Sequence, residues 1–375
     1  MMKRLAAILL LLPLLSCTRE SEAPPPPARL AAAPQGVSVA AVLSLTGPAA
    51  RFDAVKQNAL NIARDRINAR GAVKINLTFL DAGGTPETAA AAVQKALDGN
   101  PQYILSGTSP NALAIAARVR EGKLPIVQIA NAANPQFGPP RSGEYRFWPD
   151  WRQEASVLAA LLTQQRLTNI LLIHSTDPYS EALFQALKAT DWAKKARITE
   201  FPFDPAGTPD FRPTLLGGRR RGADALVVFG LPPGMKALVA QMAEVQWTAA
   251  VIGGVNINLV TEDYRKAGLK GDLWSIRTEA MGTTLPPGSE ASTFRSEYQK
   301  RHGGETPPFH ALYLSDAVYF IDAAHRAAGG GDAITRAAAV RTFDGASGRV
   351  EVTPDGVLQF KMSAEKLATG APAAQ

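Results

Sequence analysis

The sequence predicts an α/β protein of two lobes, each built on a parallel sheet. Three observations carry this expectation. Short apolar runs rich in β-branched residues alternate with amphipathic stretches from Val37 onward, the order that gives parallel strands with crossover helices. The alternation pauses at residues 146–152 (RFWPDWR) and then restarts, as it does when a chain passes from one lobe to another. About 340 residues follow the N-terminal segments, too many for one simple core.

Residues 37–43 (VSVAAVL) read as the first strand, ending in the turn Ser44-Leu45-Thr46-Gly47-Pro48. The next helix carries Phe52, Val55, Ala59, Ile62 and Ile67 on one face and Lys56, Arg64 and Asp65 elsewhere, and Gly71 ends it. Residues 74–80 give a second strand and 85–97 a second helix. The third unit is YILSGTSPNALAIAA at 103–117, where a buried strand runs into a hydroxyl-bearing turn. Ser109 suits an N-cap and Pro110 the first helical position, so free backbone N–H groups and a positive dipole end meet several hydroxyls there. Such a helix start suits a carboxylate, although an ordinary capped helix would look the same. A fourth strand at 125–129 leads into Ala130-Asn131-Ala132-Ala133-Asn134-Pro135.

After the pause, helices are expected at 154–165, 180–195, 211–221 and 234–245, with strands at 169–174, 197–203, 225–229, 250–252 and 273–277. Helices at 290–301, 311–328 and 333–340 precede a hairpin-like tail at 348–352 and 356–361. Open parallel sheets bind ligands beyond the carboxyl ends of their strands. Those ends, at 44–46, 106–109, 130–133, 175–179, 230–233 and 253–256, are small, polar or turn-forming, and two lobes would set them across a cleft.

The beginning of the chain points to export. Lys3 and Arg4 precede an apolar run at 5–15 and then Ser16-Cys17, the pattern of a secretory signal over residues 1–16, and the run is too short to span a bilayer. The tetrad Leu14-Leu15-Ser16-Cys17 resembles the bacterial lipoprotein box, which implies lipidation of Cys17, the only cysteine of the chain. The expected location is the periplasm, with the lipid on Cys17 as the membrane anchor. Thr18 stands where aspartate would hold a lipoprotein at the inner membrane. Proline-rich residues 17–36 read as a tether.

Composition excludes other classes. The net charge of +7 includes Lys3 and Arg4, and the run Arg219-Arg220-Arg221 lacks interleaved aromatics, so no nucleic-acid partner is expected. No nucleophile elbow, P-loop or dinucleotide fingerprint occurs, and His174, His302, His310 and His325 lack metal-ligand spacing. His174-Ser175-Thr176-Asp177 holds hydrolase residue types, yet consecutive residues at a strand end do not make a triad. The expectation is a protein that is not an enzyme and takes no cofactor or metal.

Residues 39–67 (VAAVLSLTGPAARFDAVKQNALNIARDRI) and the following Asn68-Ala69-Arg70-Gly71 resemble the start of type I periplasmic solute-binding proteins. The likeness is to the leucine/isoleucine/valine-binding group of branched-chain amino acid ABC importers. Further agreements are SGTSPNALAIA, Asn134-Pro135, the run from Ile173-His174 to Tyr179-Ser180-Glu181, residues 222–226 (GADAL) and Ser315-Asp316-Ala317-Val318. The resemblance extends from Val37 to about Met362. It implies two Rossmann-like lobes joined by three hinge strands and closing on a small ligand, with an ABC permease and its ATPase subunits as partners and a monomeric binding protein. The implied division is 37–149 plus about 280–340 for lobe 1, about 150–279 plus 341–362 for lobe 2, and a tail at 363–375.

Carried onto this chain, the resemblance places Phe52, Thr108, Ser109, Pro110, Asn111, Ala132 and Ala133 on one wall, with a carboxylate held by Ser109 and the amides of Asn111 and Ala133. The other wall would offer Trp151, Tyr179, Leu231 and Val255. Tyr179 either closes over the ligand or packs on its own lobe. The family holds its ligand's ammonium with an acid in the loop that reads Gly253-Gly254-Val255-Asn256 here, where none is present. Asp316 either substitutes for it or is structural, and Asp150 is open to a hinge role. The expected ligand is therefore amino-acid-like, an amide or an organic acid without an amine. A ligand-sensing or accessory role on the same fold is the alternative to import.

Overall fold

Alternating burial along the first strand sets the layering of the first lobe. In β1 (Val37–Leu43), Val37, Val39, Ala41 and Leu43 enter one core, and Ala40 and Val42 enter another on the opposite face. The computed structural model describes residues 36–47, 49–132, 135–205, 207, 209–232, 234–282, 285–327 and 330–367. The expected signal segment, Cys17, nearly all of the tether, Ala133 and residues 368–375 lie outside them.

The first lobe continues with α1 (Ala50–Arg70), β2 (Ile75–Asp81), α2 (Pro86–Asp98), β3 (Tyr103–Ser106), α3 (Ser109–Gly122), β4 (Val127–Ala130) and β5 (Glu144–Arg146). Its strands are all parallel, in the order β2-β1-β3-β4-β5. The chain then crosses at residues 147–150 into α4 (Trp151–Gln164), which Asp150 caps by accepting from the Arg152 N–H at 2.7 Å. The second lobe follows with β6 (Asn169–Ser175), α5 (Pro178–Lys188), β7 (Arg197–Phe203), α6 (Arg212–Arg220), β8 (Ala225–Phe229), α7 (Gly234–Glu244), β9 (Ala250–Gly253), α8 (Thr261–Lys266) and β10 (Leu273–Thr278). Its parallel strands stand in the order β7-β6-β8-β9-β10, the same topology as the first lobe.

A second crossing after Thr278 returns the chain to the first lobe as α9 (Glu290–Arg301), α10 (Phe309–Ala327) and α11 (Ala333–Ala339). Helix α10 is buried almost throughout, including Leu312, Tyr313, Val318, Phe320 and Ile321, because α1, α9 and the sheet pack around it. Three antiparallel strands follow, β11 (Thr342–Gly345), β12 (Gly348–Val352) and β13 (Leu358–Phe360). The third crossing leads at once into β14 (Met362–Leu367), an antiparallel edge strand on β10.

The division of the C-terminal part needs correction. The segment expected in lobe 2, residues 341–362, lies instead almost wholly on lobe 1. Phe343, Val350, Val352, Leu358 and Phe360 bury their side chains in the core of β1, α1 and α10. Residues 363–367, expected as tail, complete the sheet of lobe 2. Helix α5 ends at Lys188 and a separate short turn spans Ala193–Lys195, where one helix to 195 was expected. Among the described residues, no helix is long and apolar enough to cross a membrane, and no cluster of His, Cys, Asp or Glu is arranged to hold a metal ion.

Candidate functional site

In both sheets the strand order reverses between the first and third strands of the lobe, at β1/β3 and at β6/β8. Loops leaving the carboxyl ends of strands at such a switch point diverge and leave a crevice. Here the two crevices share one cleft of about 460 Å³, lined by the loop after β3, the start of α1 and the start of α10 on one side. The loops after β6, β8 and β9 line it on the other.

The lobe-1 wall is a charged anchor set in apolar surface. Helix α3 begins with Thr108 as N-cap and Ser109 and Pro110 in its first turn, and the Thr108 hydroxyl makes no capping bond. The expected cap was Ser109, one residue later. The helix start thus turns its N–H groups and two hydroxyl-bearing residues toward the cleft. Lys56, one helical turn after Phe52, reaches the same place. Its ammonium pairs with the Asp53 carboxylate at 3.0 Å and donates to the Gly107 carbonyl. Asp53 in turn accepts from the Ser44 N–H at 2.7 Å. A side chain on residue 107 would come within 2.6 Å of Asp53 Oδ1, so only glycine lets the loop approach this pair. Burial pulls the Lys56 ammonium below the usual lysine range, and Asp53 opposes the shift. His310 stands edge-on to Phe52 at 5.8 Å. Burial, with the Lys56 charge nearby, lowers its pKa to about 3, so the imidazole is neutral at physiological pH. Its Nε2 is buried without a hydrogen-bond partner, as is Asn131 Oδ1 on the same wall.

The lobe-2 wall is mainly apolar. Tyr179, Leu231, Pro232, Pro178 and Leu259 face Phe52 and Phe309, and Trp148 of the first crossing also lines the cleft. Leu231 is 44% exposed, high for a large apolar side chain in this fold. Trp148 is held by edge contacts to Phe309 at 5.8 Å and Tyr313 at 5.7 Å. Asp177 is the one carboxylate among the described lining residues. It caps α5, its Oδ1 accepting from the N–H groups of Tyr179 and Ser180 at 3.1 Å each. The Tyr179 hydroxyl points into the lobe, where it donates to the buried carboxylate of Glu154.

Of the residues expected at the site, Phe52, Thr108, Ser109, Pro110, Ala132, Tyr179 and Leu231 line the cleft together. Four others stand off the wall. Asn111 is buried and donates to Ser44 Oγ at 3.3 Å. Trp151 packs edge-on behind the Tyr179 ring at 6.4 Å. Val255 is buried, with its N–H donated to Glu154 at 2.8 Å, and the neighbouring Asn256 takes the wall position. Asp316 is fully buried and receives both the N–H and the hydroxyl of Ser347. It closes the turn between β11 and β12, which is structural work. Sequence reasoning missed Lys56, Trp148, Asn256, Phe309 and His310. Lys56 had a usable signal, since it follows Phe52 at i+4 and so shares its helix face.

Comparison with known proteins agrees with this geometry. The family of periplasmic binding proteins matches residues 36–371. A Leu/Ile/Val-binding protein of Rhizobium johnstonii is 24% identical over 256 residues, 66% of each chain. The chain spans about two thirds of the length of the curated relatives it matches. Among solved structures, a leucine-binding protein of Thermotoga maritima superposes with a TM-score of 0.72 at 20% identity, covering 88% of this chain and 98% of that one. An ABC-transporter solute-binding protein of R. palustris in complex with benzoate gives 0.72 at 15% identity, covering 89% and 94%. At these identities the structural matches speak to fold alone. With a family match across nine-tenths of its length and two lobes of the same sheet order meeting at a shared cleft, the chain belongs to the periplasmic binding protein family, with the type I fold.

Proposed function

We propose that this protein is the solute-binding component of an ABC importer and captures a small carboxylate with an apolar or aromatic body. The observation that carries the reading is the convergence of the Lys56 ammonium and the α3 start on one end of an otherwise apolar, aromatic cleft. A carboxylate there would meet a cation, free backbone N–H groups and hydroxyls, the partners that give strong charge-assisted hydrogen bonds. The rest of the ligand would lie among Phe52, Trp148, Tyr179, Leu231 and Phe309. A volume of about 460 Å³ suits a small molecule.

An α-ammonium group would meet one carboxylate among the described lining residues, Asp177. A buried ammonium needs a charged partner. Asp177 spends its Oδ1 on the α5 cap while its Oδ2 is buried without a hydrogen-bond partner, and both oxygens of Glu154 are taken from behind the wall. We favour a carboxylic acid without an amine because the wall around Asp177 is formed by Pro178, Leu231, Pro232 and the ring of Tyr179, whose hydroxyl turns away from the cleft. Solved structures of this fold hold benzoate in one case and isoleucine in another, so the fold accommodates both ligand classes. Closure of the lobes on the ligand would give the permease a distinct form to recognise. The signal pattern and Cys17 support an exported, lipid-anchored protein tethered beside its importer.

Mass spectrometry of small molecules carried through native purification, paired with a thermal-shift panel of acids, amides and amino acids, tests this reading. The expected result is an amine-free acid that raises the melting temperature and compacts the protein in solution scattering. A panel in which only amino acids stabilise and compact the protein contradicts it.

A further inference from the structure

Glu154 is fully buried at the start of α4, one turn beyond the first crossing, and does not touch the cleft. Its two oxygens hold two separate pieces of the lobe-2 wall. Oε1 accepts from the Val255 N–H at 2.8 Å, in the loop that presents Asn256. Oε2 accepts from the hydroxyl of Tyr179, whose ring lines the cleft. That hydroxyl also lies 3.5 Å from the Pro149 carbonyl and beside Trp148, both in the crossing segment. Residue 254 is glycine, and any side chain there would collide with Glu154 Oε1. The carboxylate thus occupies space that the loop leaves for it.

We propose that Glu154 is the positioning residue for the second half of the ligand site, fixing the Tyr179 ring and the Asn256 loop as one surface tied to the first crossing. This rests on the cleft being the ligand site. A carboxylate buried without a cation is an expensive way to fill space, and an apolar residue of similar volume would serve packing at lower cost. Burial pushes its carboxyl up to about 7, against the two hydrogen bonds that favour the charge. The titratable groups that feel its charge are Tyr179 of α5 and Tyr313 of α10. What this costly group holds is the ligand-facing surface, which a purely structural role does not require.

The test compares Glu154→Ala and Glu154→Gln with wild type, using benzoate and 4-methylpentanoate as probes. Glu154→Ala is expected to speed exchange of the Val255 amide and to weaken probe binding, each by about tenfold or more, as the loss of one buried hydrogen bond to a charged group allows. Glu154→Gln keeps an acceptor for Val255 and a polar partner for Tyr179, so it should stay within about threefold of wild type in both readouts. Its melting temperature relative to wild type should rise as pH increases through about 7, because only wild type must then bury a charge. Wild-type affinity in Glu154→Ala, or unchanged Val255 exchange, overturns the proposal. If neither probe binds wild type, the ligand class proposed above fails, and Val255 exchange with the pH profile still decides the role of Glu154.

Discussion

A lysine only 5% exposed must recover the desolvation of its ammonium from nearby acceptors. Lys56 does so through Asp53 and the Gly107 carbonyl, and the pair is itself anchored by the Ser44 N–H. Removing only the cation, as in Lys56→Met, strands the Asp53 charge and should destabilise the protein by about 3–5 kcal/mol in denaturant titration. The double variant Asp53→Asn/Lys56→Met should recover most of that loss. It should still bind a carboxylate more weakly by about 1.5–3 kcal/mol in calorimetry, the usual scale for a hydrogen bond to a charged group. Full affinity in the double variant would move the anion anchor away from Lys56. At this scale the hydroxyl turn at Thr108 and Ser109 was legible, because capping is a local property of a few residues. Lys56 was legible only in part: its i+4 spacing puts it on the face of Phe52, but the apolar pattern of α1 assigns a lysine to solvent, and its burial follows from the approach of Gly107. His310 is a similar case: nothing in its neighbours in sequence announces that Phe52 will stand against it.

Strands and long helices came through because their periodicity is sustained. The expected bounds of β1, β7, β8, α9 and β12 coincide with those observed, and most others shift by a few residues at an end. The three-residue β5 and six-residue α8 were missed, being too short to show a period. The placement of residues 341–362 failed for another reason. Chain order suggests the other lobe, and only the apolar face of β11–β13 packed beside α10 shows the return to lobe 1. Elements also set the local field at the cleft. Helix α3 leaves its start open, whereas Asp177 closes the start of α5 with its side chain. Asp177→Ala should therefore lower stability by about 1 kcal/mol and speed amide exchange in the first turn of α5. An unchanged first turn would mean that Pro178 and packing alone hold the helix start.

Across the whole molecule, two lobes of one topology meet at their switch points, and the parts that join them are also those that tune the cleft. The acids Glu154 and Asp316, one in each lobe, are fully buried, and both are pushed up to about 7 by burial. An acid whose pKa is higher folded than unfolded favours the native state at low pH and loses that contribution as pH rises through its folded value. For Asp316, whose unfolded counterpart titrates near about 4, the contribution therefore declines from about pH 4 to about pH 7. Asp316→Asn keeps an acceptor for Ser347 without the charge. Its melting temperature relative to wild type should become more positive between about pH 4 and about pH 7, and a flat difference there would refute a raised Asp316.

Whether the cleft takes a ligand with an amine decides the class of molecule it captures. Calorimetry with leucine and with 4-methylpentanoate, which has the same carbon skeleton without the amine, addresses that question directly. The account predicts tighter binding of the amine-free acid by about tenfold or more, since an ammonium would be desolvated among apolar side chains with only Asp177 of the described lining residues, already engaged as a helix cap, to receive it. Tighter binding of leucine would contradict it.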